Sequence, residues 1–419
     1  MPEVKFSSFP KDAYYHKYYY DMKKVAWACS RCSACKWIDS WEVKSARFAK
    51  VCPSNLRYLF DAYSCQGRMD VAFAILDGTL KYEDSEELLN VIYRCDTCGG
   101  CDVSCKRVRD AEPLRVMLEL RAKLVTDGQL LMQHMPVMDS LRKEDNTMMG
   151  RKADRGQWAE GLAVKDLTRE RADVVFHAGC QLCYDKERWE VARTAVTILQ
   201  DAGVDIGIMG KDEACCGCRV YDMGYRGELT KYAENNIEAW KTAGVKTVVT
   251  ACSDCYYGIK RLYAEHGSKV EVYHIVEYVN RLIKEGKIRF TKKIPMTVTY
   301  HDPCHLGRRD NIYVPGKVIA GVYEPPREIL KSLPGLNLVE MYRIRECAWC
   351  CGAGGGVREA YPDFSNWTAT ERIEEAKCTG AEAIVTACPW CERNFLDAVK
   401  QSAGNMKVYD IMELVRQAI

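Results

Sequence analysis

No stretch of this 419-residue chain approaches the ~20 consecutive apolar residues that a membrane-spanning helix requires, which excludes a direct helical span. The N-terminus also lacks the basic-then-apolar run of a secretory leader, so the expected setting is reducing and cytoplasmic. Charge of one sign is missing as well. Lysines and arginines number 60 against 58 acidic residues, and the net +2 gives no reason to expect nucleic acid or a membrane-attracted surface. Any membrane attachment would come through a partner. No flavin or nicotinamide fingerprint is present either. The run Gly352-Ala-Gly354-Gly355-Gly356 is not followed by Lys-Ser/Thr, and Val357 breaks the dinucleotide pattern.

What the chain has in excess is cysteine, 23 residues, far beyond the packing needs of a cytosolic protein. One five-cysteine pattern occurs twice: a lone cysteine, an adjacent Cys-Cys-Gly, then Cys-x-x-Cys. The first set is Cys180, Cys215, Cys216, Cys252 and Cys255; the second is Cys304, Cys350, Cys351, Cys388 and Cys391. Adjacent cysteines do not readily bond to each other, and the following glycine lets both sulfurs face one inorganic core at close range. Five thiolates exceed the four of a zinc tetrahedron, so a polynuclear iron–sulfur core is expected, with zinc as the alternative. The glycine run after Cys351 is expected to let backbone amides approach such a core.

The surrounding sequence repeats with the cysteines. GVKTVVTACSDC at 244–255 matches GAEAIVTACPWC at 380–391, and VYHIVEYV at 272–279 matches VYDIMELV at 408–415, both 136 positions apart. His177-Ala-Gly-Cys180 corresponds to His301-Asp-Pro-Cys304, and the second copy carries an insertion through Tyr313 to Pro326. From Arg171 onward short apolar strands (174–176, 204–209, 245–250) alternate with amphipathic helices (190–200, 229–242). The expected fold is α/β: a helical two-cluster ferredoxin domain followed by two repeated α/β lobes with mainly parallel sheets. The expected boundaries are 1–125, a linker at 126–170, and lobes at 171–294 and 295–419.

Nearer the N-terminus, Cys95, Cys98, Cys101 and Cys105 have the spacing that wraps a [4Fe–4S] cubane. Cys29, Cys32 and Cys35 begin a second run whose fourth cysteine is displaced to Cys52, before Pro53. The last cysteine of each ferredoxin run ligates the other run's cluster, which assigns Cys29, Cys32, Cys35 and Cys105 to one cubane and Cys95, Cys98, Cys101 and Cys52 to the other. Cys65 competes with Cys52. Zinc ribbons are the bland reading of this module. Cys183, Cys218 and Cys347 sit beside ligand positions and are left open, and Cys378 is expected to be a packing residue. His177, His301 and His305 flank the lone cysteines; they are proton donors if a disulfide is cleaved, and hydrogen-bonded structural histidines otherwise. Tyr14, Tyr15, Tyr18, Tyr19 and Tyr20 are read as a docking surface or as packing.

A two-cubane module followed by two Cys-Cys-Gly domains resembles the catalytic D subunit of heterodisulfide reductase, whose elements are split between C and B subunits in the soluble form. Similar fused chains serve as electron-transfer subunits of the benzoyl-CoA reductase complex and of sulfate-reducer complexes. The resemblance implies non-cubane four-iron clusters on the two five-cysteine sets. It also implies partner subunits carrying flavin, ferredoxin or a membrane cytochrome. Three functions stay open at this point. One is a relay from cubane to non-cubane clusters in an anaerobic complex. Another is a disulfide reductase with Cys350, Cys351, His301 and His305 as the candidate groups. The third is a ferredoxin module with two structural zinc sites.

Overall fold

A computed structural model of the chain describes residues 21–109, 111–314, 317–319, 321–402 and 404–419. The tyrosine cluster at 14–20 lies outside them. Eleven strands are present among the described residues. They are β1 (Lys165–Asp166), β2 (Val174–Phe176), β3 (Ile206–Ile208), β4 (Thr247–Thr250), β5 (Glu271–His274) and β6 (Thr297–Tyr300), then β7 (Ile312–Val314), β8 (Lys317–Ile319), β9 (Asn337–Val339), β10 (Ala383–Thr386) and β11 (Lys407–Asp410). They build a five-stranded sheet in the order β1-β3-β2-β4-β5 and a four-stranded sheet in the order β11-β10-β6-β9, every pair parallel. Omitting β1, the two orders coincide. Parallel strands need crossover helices, and these are the amphipathic segments that the sequence alternation marks.

The repeat persists in detail. Gly244 and Gly380 end equivalent helices, and both have φ of +75°, a conformation that glycine adopts without Cβ strain. The residues ending β5 and β11, His274 and Asp410, cap the next helix through matching boxes with Glu277 and Glu413. The insertion expected through Tyr313 to Pro326 holds the antiparallel β7–β8 hairpin and the start of the helix Glu324–Ser332.

The lobes share one core. Helix Ile275–Lys284 of the first packs on Glu324–Ser332 of the second, and the C-terminal helix Ile411–Ala418 packs back on Trp189–Asp201. Val196, Ile198, Val279, Ile329, Leu330, Leu414 and Val415 are buried in that layer. Preceding the lobes are short helices, among them Met22–Trp27, Cys65–Asp77, Gly100–Val108 and Pro113–Thr126. Proline occupies the first turn after Cys52 and again at Pro113, where its missing N–H costs nothing. The stretch 126–170 carries a helix, Met135–Glu144, and the edge strand β1.

Candidate iron–sulfur sites

Two cavities lie side by side in the helical region. One is lined by Cys29, Cys32, Cys35 and Cys105 together with Cys65. The other is lined by Cys52, Cys95, Cys98 and Cys101, again with Cys65. Each cavity thus gathers three cysteines from one sequence run and two from outside it, Cys65 being common to both. The Cys-Pro start of helix Pro53–Tyr58 brings Cys52 to the second cavity, and helix Gly100–Val108 delivers Cys101 to the second and Cys105 to the first. Cys65 stands between them, its thiol in contact with Cys35 on one side and Cys101 on the other.

The ten cysteines of the two Cys-Cys-Gly sets are all buried. Within the first set, contacts run Cys180 to Cys215, Cys215 to Cys216, Cys216 to Cys255, and Cys255 to Cys252. Within the second they run Cys304 to Cys350, Cys350 to Cys351, Cys351 to Cys391, and Cys391 to Cys388. The glycine of each motif has the same use: Gly217 and Gly352 donate their N–H to Cys215 and Cys350 Sγ, both at 3.3 Å. Two further contacts join sets that the sequence leaves separate. Cys98 of the helical region touches Cys350, and Cys252 of the first lobe touches Cys388 of the second.

Every set holds at least one thiol biased toward the thiolate, the form that ligates metal. Contact with Cys65 brings Cys35 down to about 7 against its burial. Contact with Cys350 brings Cys98 to about 6, and contact with Cys215 brings Cys216 to about 6, again against burial. In the second lobe Cys304 and Cys351 are held well below the ordinary thiol range, each chiefly by contact with Cys350.

The three histidines differ in their surroundings. His301 is buried, and its Nδ1 accepts from Arg372 Nε at 3.2 Å. In the neutral ring the proton therefore sits on Nε2, which has no hydrogen-bond partner. One ring nitrogen of His301 and the Sγ atoms of Cys351 and Cys391 lie within 4.8 Å of one another. With Nδ1 engaged by arginine, Nε2 is the ring nitrogen left to face these sulfurs, and it forms no hydrogen bond with either of them. His305 is pinned: Nε2 lies 3.1 Å from Asp222 and Nδ1 lies 3.2 Å from Asp254. Burial disfavours its charge, but these carboxylates outweigh burial and hold its pKa well above the ordinary value. His177 has neither ring nitrogen hydrogen-bonded, and burial lowers its pKa.

Three features depart from expectation. Cys378 is exposed rather than packed, because it follows the last turn of helix Pro362–Lys377 on its solvent side. The glycine run after Cys351 admits protein backbone: a Cβ on Gly354 would stand 2.6 Å from the Asp96 carbonyl oxygen, and one on Gly355 would stand 2.8 Å from that of Cys95. In the fold it docks closely on the loop that carries Cys95 and Asp96. Arg121, which sequence reasoning missed, donates from Nη1 to the carbonyls of Asp222 (2.9 Å) and Gly355 (2.8 Å) and from Nη2 to those of Ile92, Tyr93 and Cys95. It ties the helical region to both lobes. A lone arginine on a helix gives no sequence signal of that role. Of the cysteines left open, Cys183 donates to Glu213 at 3.7 Å and Cys347 to Glu42 at 3.2 Å, while Cys218 is in contact with His305.

Among known proteins, the cysteine-rich CCG domain family matches residues 174–260 and 298–395. The D subunit of dihydromethanophenazine:CoB–CoM heterodisulfide reductase from Methanosarcina acetivorans is 30% identical over 406 residues, 94% of this chain and 93% of that protein. EtfAB:quinone oxidoreductase of Syntrophomonas wolfei is 28% identical over 344 residues, 78% of this chain and 46% of that protein. The B subunit of the CoM/CoB fumarate reductase from Methanothermobacter marburgensis is 28% identical over 330 residues, 78% of this chain and 61% of that protein.

Proposed function

This chain belongs to the family of heterodisulfide reductase D subunits, and from that premise we propose that it is the electron-transfer subunit of an anaerobic redox complex, relaying electrons from cubane to non-cubane clusters. It is an iron–sulfur oxidoreductase whose relatives are subunits of larger reductases, so partner subunits are expected. Under this reading Cys29, Cys32, Cys35 and Cys105 hold one [4Fe–4S] cubane and Cys95, Cys98, Cys101 and Cys52 the other. Non-cubane [4Fe–4S] clusters fall to Cys180, Cys215, Cys216, Cys252 and Cys255, and to Cys304, Cys350, Cys351, Cys388 and Cys391. Such clusters supply reversible one-electron carriage. The domain division at 125, 170 and 294 is retained on the same terms.

The observation that carries the relay reading is the serial contact of the thiol sets: Cys35–Cys65–Cys101, then Cys98–Cys350, then Cys388–Cys252. All ten Cys-Cys-Gly thiols are buried, which favours internal carriage over a substrate-facing cluster. The chain's own side chains would set how readily added negative charge is tolerated. Arg308, buried beside Cys98, Cys304 and Cys350, stabilises it, and the Nε2 of His301 faces Cys351 and Cys391.

Anaerobic isolation with full metal loading tests this. About sixteen irons per chain are expected, with two cubane and two non-cubane spectral signatures, since four sets each hold about four irons. The isolated chain should accept electrons from a low-potential donor and turn over heterodisulfides slowly. About eight irons with stoichiometric zinc would support the zinc alternative, and fast heterodisulfide reduction abolished by Cys351→Ser would make the chain the catalyst.

A further inference from the structure

Arg155 lies in the stretch 126–170, outside both lobes, and is fully buried. Both of its Nη atoms stand 3.8 Å from the sulfur of Cys180, the lone cysteine of the first Cys-Cys-Gly set. A guanidinium buried without a counter-charge would be costly, and Glu213 supplies one: its Oε1 accepts from Nε at 3.3 Å and from Nη2 at 2.8 Å. The carbonyl of Asp145 accepts from Nη1 at 3.2 Å. All three nitrogens of the fork are engaged, which fixes its orientation toward Cys180. Glu213 also holds the other side of the contact. Its Oε2 accepts the N–H of Ala178 and its Oε1 that of Gly179, both at 2.9 Å, so one carboxylate fixes both the guanidinium and the turn that delivers Cys180. Gly179 has φ of +76°, and a Cβ there would stand 2.6 Å from Cys255 Sγ, so the same turn is pressed against another thiol of the set.

The loop ahead of Arg155 is wound around the buried side chain of Asn146. Nδ2 donates to the carbonyls of Glu144 (2.9 Å) and Gly150 (2.7 Å), and Oδ1 accepts from the N–H of Met148 (2.9 Å) and of Gly150 (3.3 Å). This winding presents the Asp145 carbonyl to the N–H of Cys215 at 3.0 Å as well as to Arg155, and it lays the Thr147 N–H against the Cys180 thiol. Two cysteines of the first set are therefore met by one strap from outside the lobe. The second lobe departs from this. Ala348, two residues before Cys350, stands where Glu213 precedes Cys215, and Cys304 faces its own neighbour His305, with Nδ1 at 3.5 Å.

We propose that residues 144–155 form a strap whose Arg155 is a positioning residue for the first Cys-Cys-Gly set, holding Cys180 in place and, through its N–H groups, easing reduction of an iron–sulfur cluster bound there. The inference rests on the iron–sulfur relay reading above and deepens it. N–H groups directed at a ligand sulfur stabilise the more negative, reduced state. Arg155 and Glu213 carry opposite charges and together add none to the site, so the effect is carried by the donors rather than by net charge. Because the strap reaches only the first set, it tunes that set apart from the second, whose basic neighbours Arg308 and His305 lie within its own lobe.

The test is a redox titration of the metal-loaded full chain followed by low-temperature resonance, with the first set's signal identified as the non-cubane one that survives Cys351→Ser. The double variant Arg155→Met/Glu213→Gln removes the donors and leaves the net charge of the site as it was. Its first-set midpoint should fall by the equivalent of about a tenfold change in the reduced-to-oxidised ratio, ~59 mV for one electron, while the second-set midpoint stays in place. Arg155→Lys, which keeps a charge opposite Glu213 but lacks the planar fork, should fall between parent and double variant, and it decides the question if the double variant does not load iron. A first-set midpoint equal to the parent's in the loaded variants, or an equal shift at both sets, would overturn the proposal and leave Arg155 a structural ion pair. A parent chain without any non-cubane signal would instead sink the relay reading and this proposal with it, so the two failures are distinct.

Discussion

The thiol of Cys98, in the N-terminal helical region, touches that of Cys350 in the second Cys-Cys-Gly set. Arg308 braces the contact: its Nε donates to the Cys98 carbonyl at 2.9 Å, and the same guanidinium donates to the carbonyls of Glu346 and Ala348. The helical region therefore meets the second lobe thiol to thiol, while the thiols of the first lobe are joined to those of the second through Cys252 and Cys388.

Cys98→Ser is expected to remove one cubane signal and about four of roughly sixteen irons. The sheets of both lobes do not pass through Cys98, so far-ultraviolet circular dichroism should be retained. Cys351→Ser should spare both cubanes and remove one non-cubane signal. Loss of the same low-temperature signal in both variants would refute the assignment of these cysteines to separate clusters.

Arg121 predicts a stability effect out of proportion to a single surface-to-core contact. Arg121→Met would leave five carbonyl oxygens, those of Ile92, Tyr93, Cys95, Asp222 and Gly355, without this donor in a buried site. A loss of about 3 kcal/mol or more is expected, because each stranded buried acceptor costs ~1–3 kcal/mol and partial relaxation recovers some of it. Lysine, a point charge without the planar fork, should rescue only a fraction of that. Chemical denaturation of the three proteins under identical metal loading measures it.

Much of the lobes was legible because it is local and periodic. The 136-residue offset places GVKTVVTACSDC and GAEAIVTACPWC on the equivalent strands β4 and β10, and strand–helix alternation is a pattern of apolar spacing. The two cavities could be anticipated from ferredoxin spacing, although nothing in the spacing places Cys65 between them. The joints between the helical region and the lobes were not legible. Cys98 against Cys350 and Gly355 against Cys95 bring together residues about 250 positions apart, where no repeat or period connects them. The docking of the glycine run on the Cys95 and Asp96 carbonyls was not legible either, because only the tertiary fold brings that backbone within reach of the missing Cβ atoms.

His301 gives a prediction about redox tuning. An N–H facing the Cys351 and Cys391 sulfurs stabilises the more negative, reduced state of a cluster held there. His301→Phe should lower the midpoint potential of that one cluster by an amount equivalent to about a tenfold change in the reduced-to-oxidised ratio, ~59 mV for one electron. His301→Gln, which can keep an N–H donor, should fall between. Redox titration followed by low-temperature resonance measures the shift, and an equal change at both non-cubane clusters would exclude a local effect.

His134 predicts how stability depends on pH. It is buried against the glycine run, with Nε2 3.0 Å from the Gly356 carbonyl oxygen and its ring edge on Tyr93. Burial lowers its pKa to about 4, and the Gly356 hydrogen bond opposes that only weakly. In the unfolded chain the imidazole titrates near 6.5. Above that value both states are neutral and His134 contributes no pH dependence. As pH falls from about 6.5 to about 4 the unfolded chain gains a proton that the folded one refuses, so stability drops by up to about 3 kcal/mol, and below about 4 the loss levels off. His134→Gln, which preserves a donor toward Gly356, should flatten the denaturation midpoint over this window relative to the parent chain. An unchanged slope between pH 6.5 and 4 in that variant would assign the acid sensitivity to other buried histidines, of which His274, also lowered to about 4 by burial, is the next to substitute.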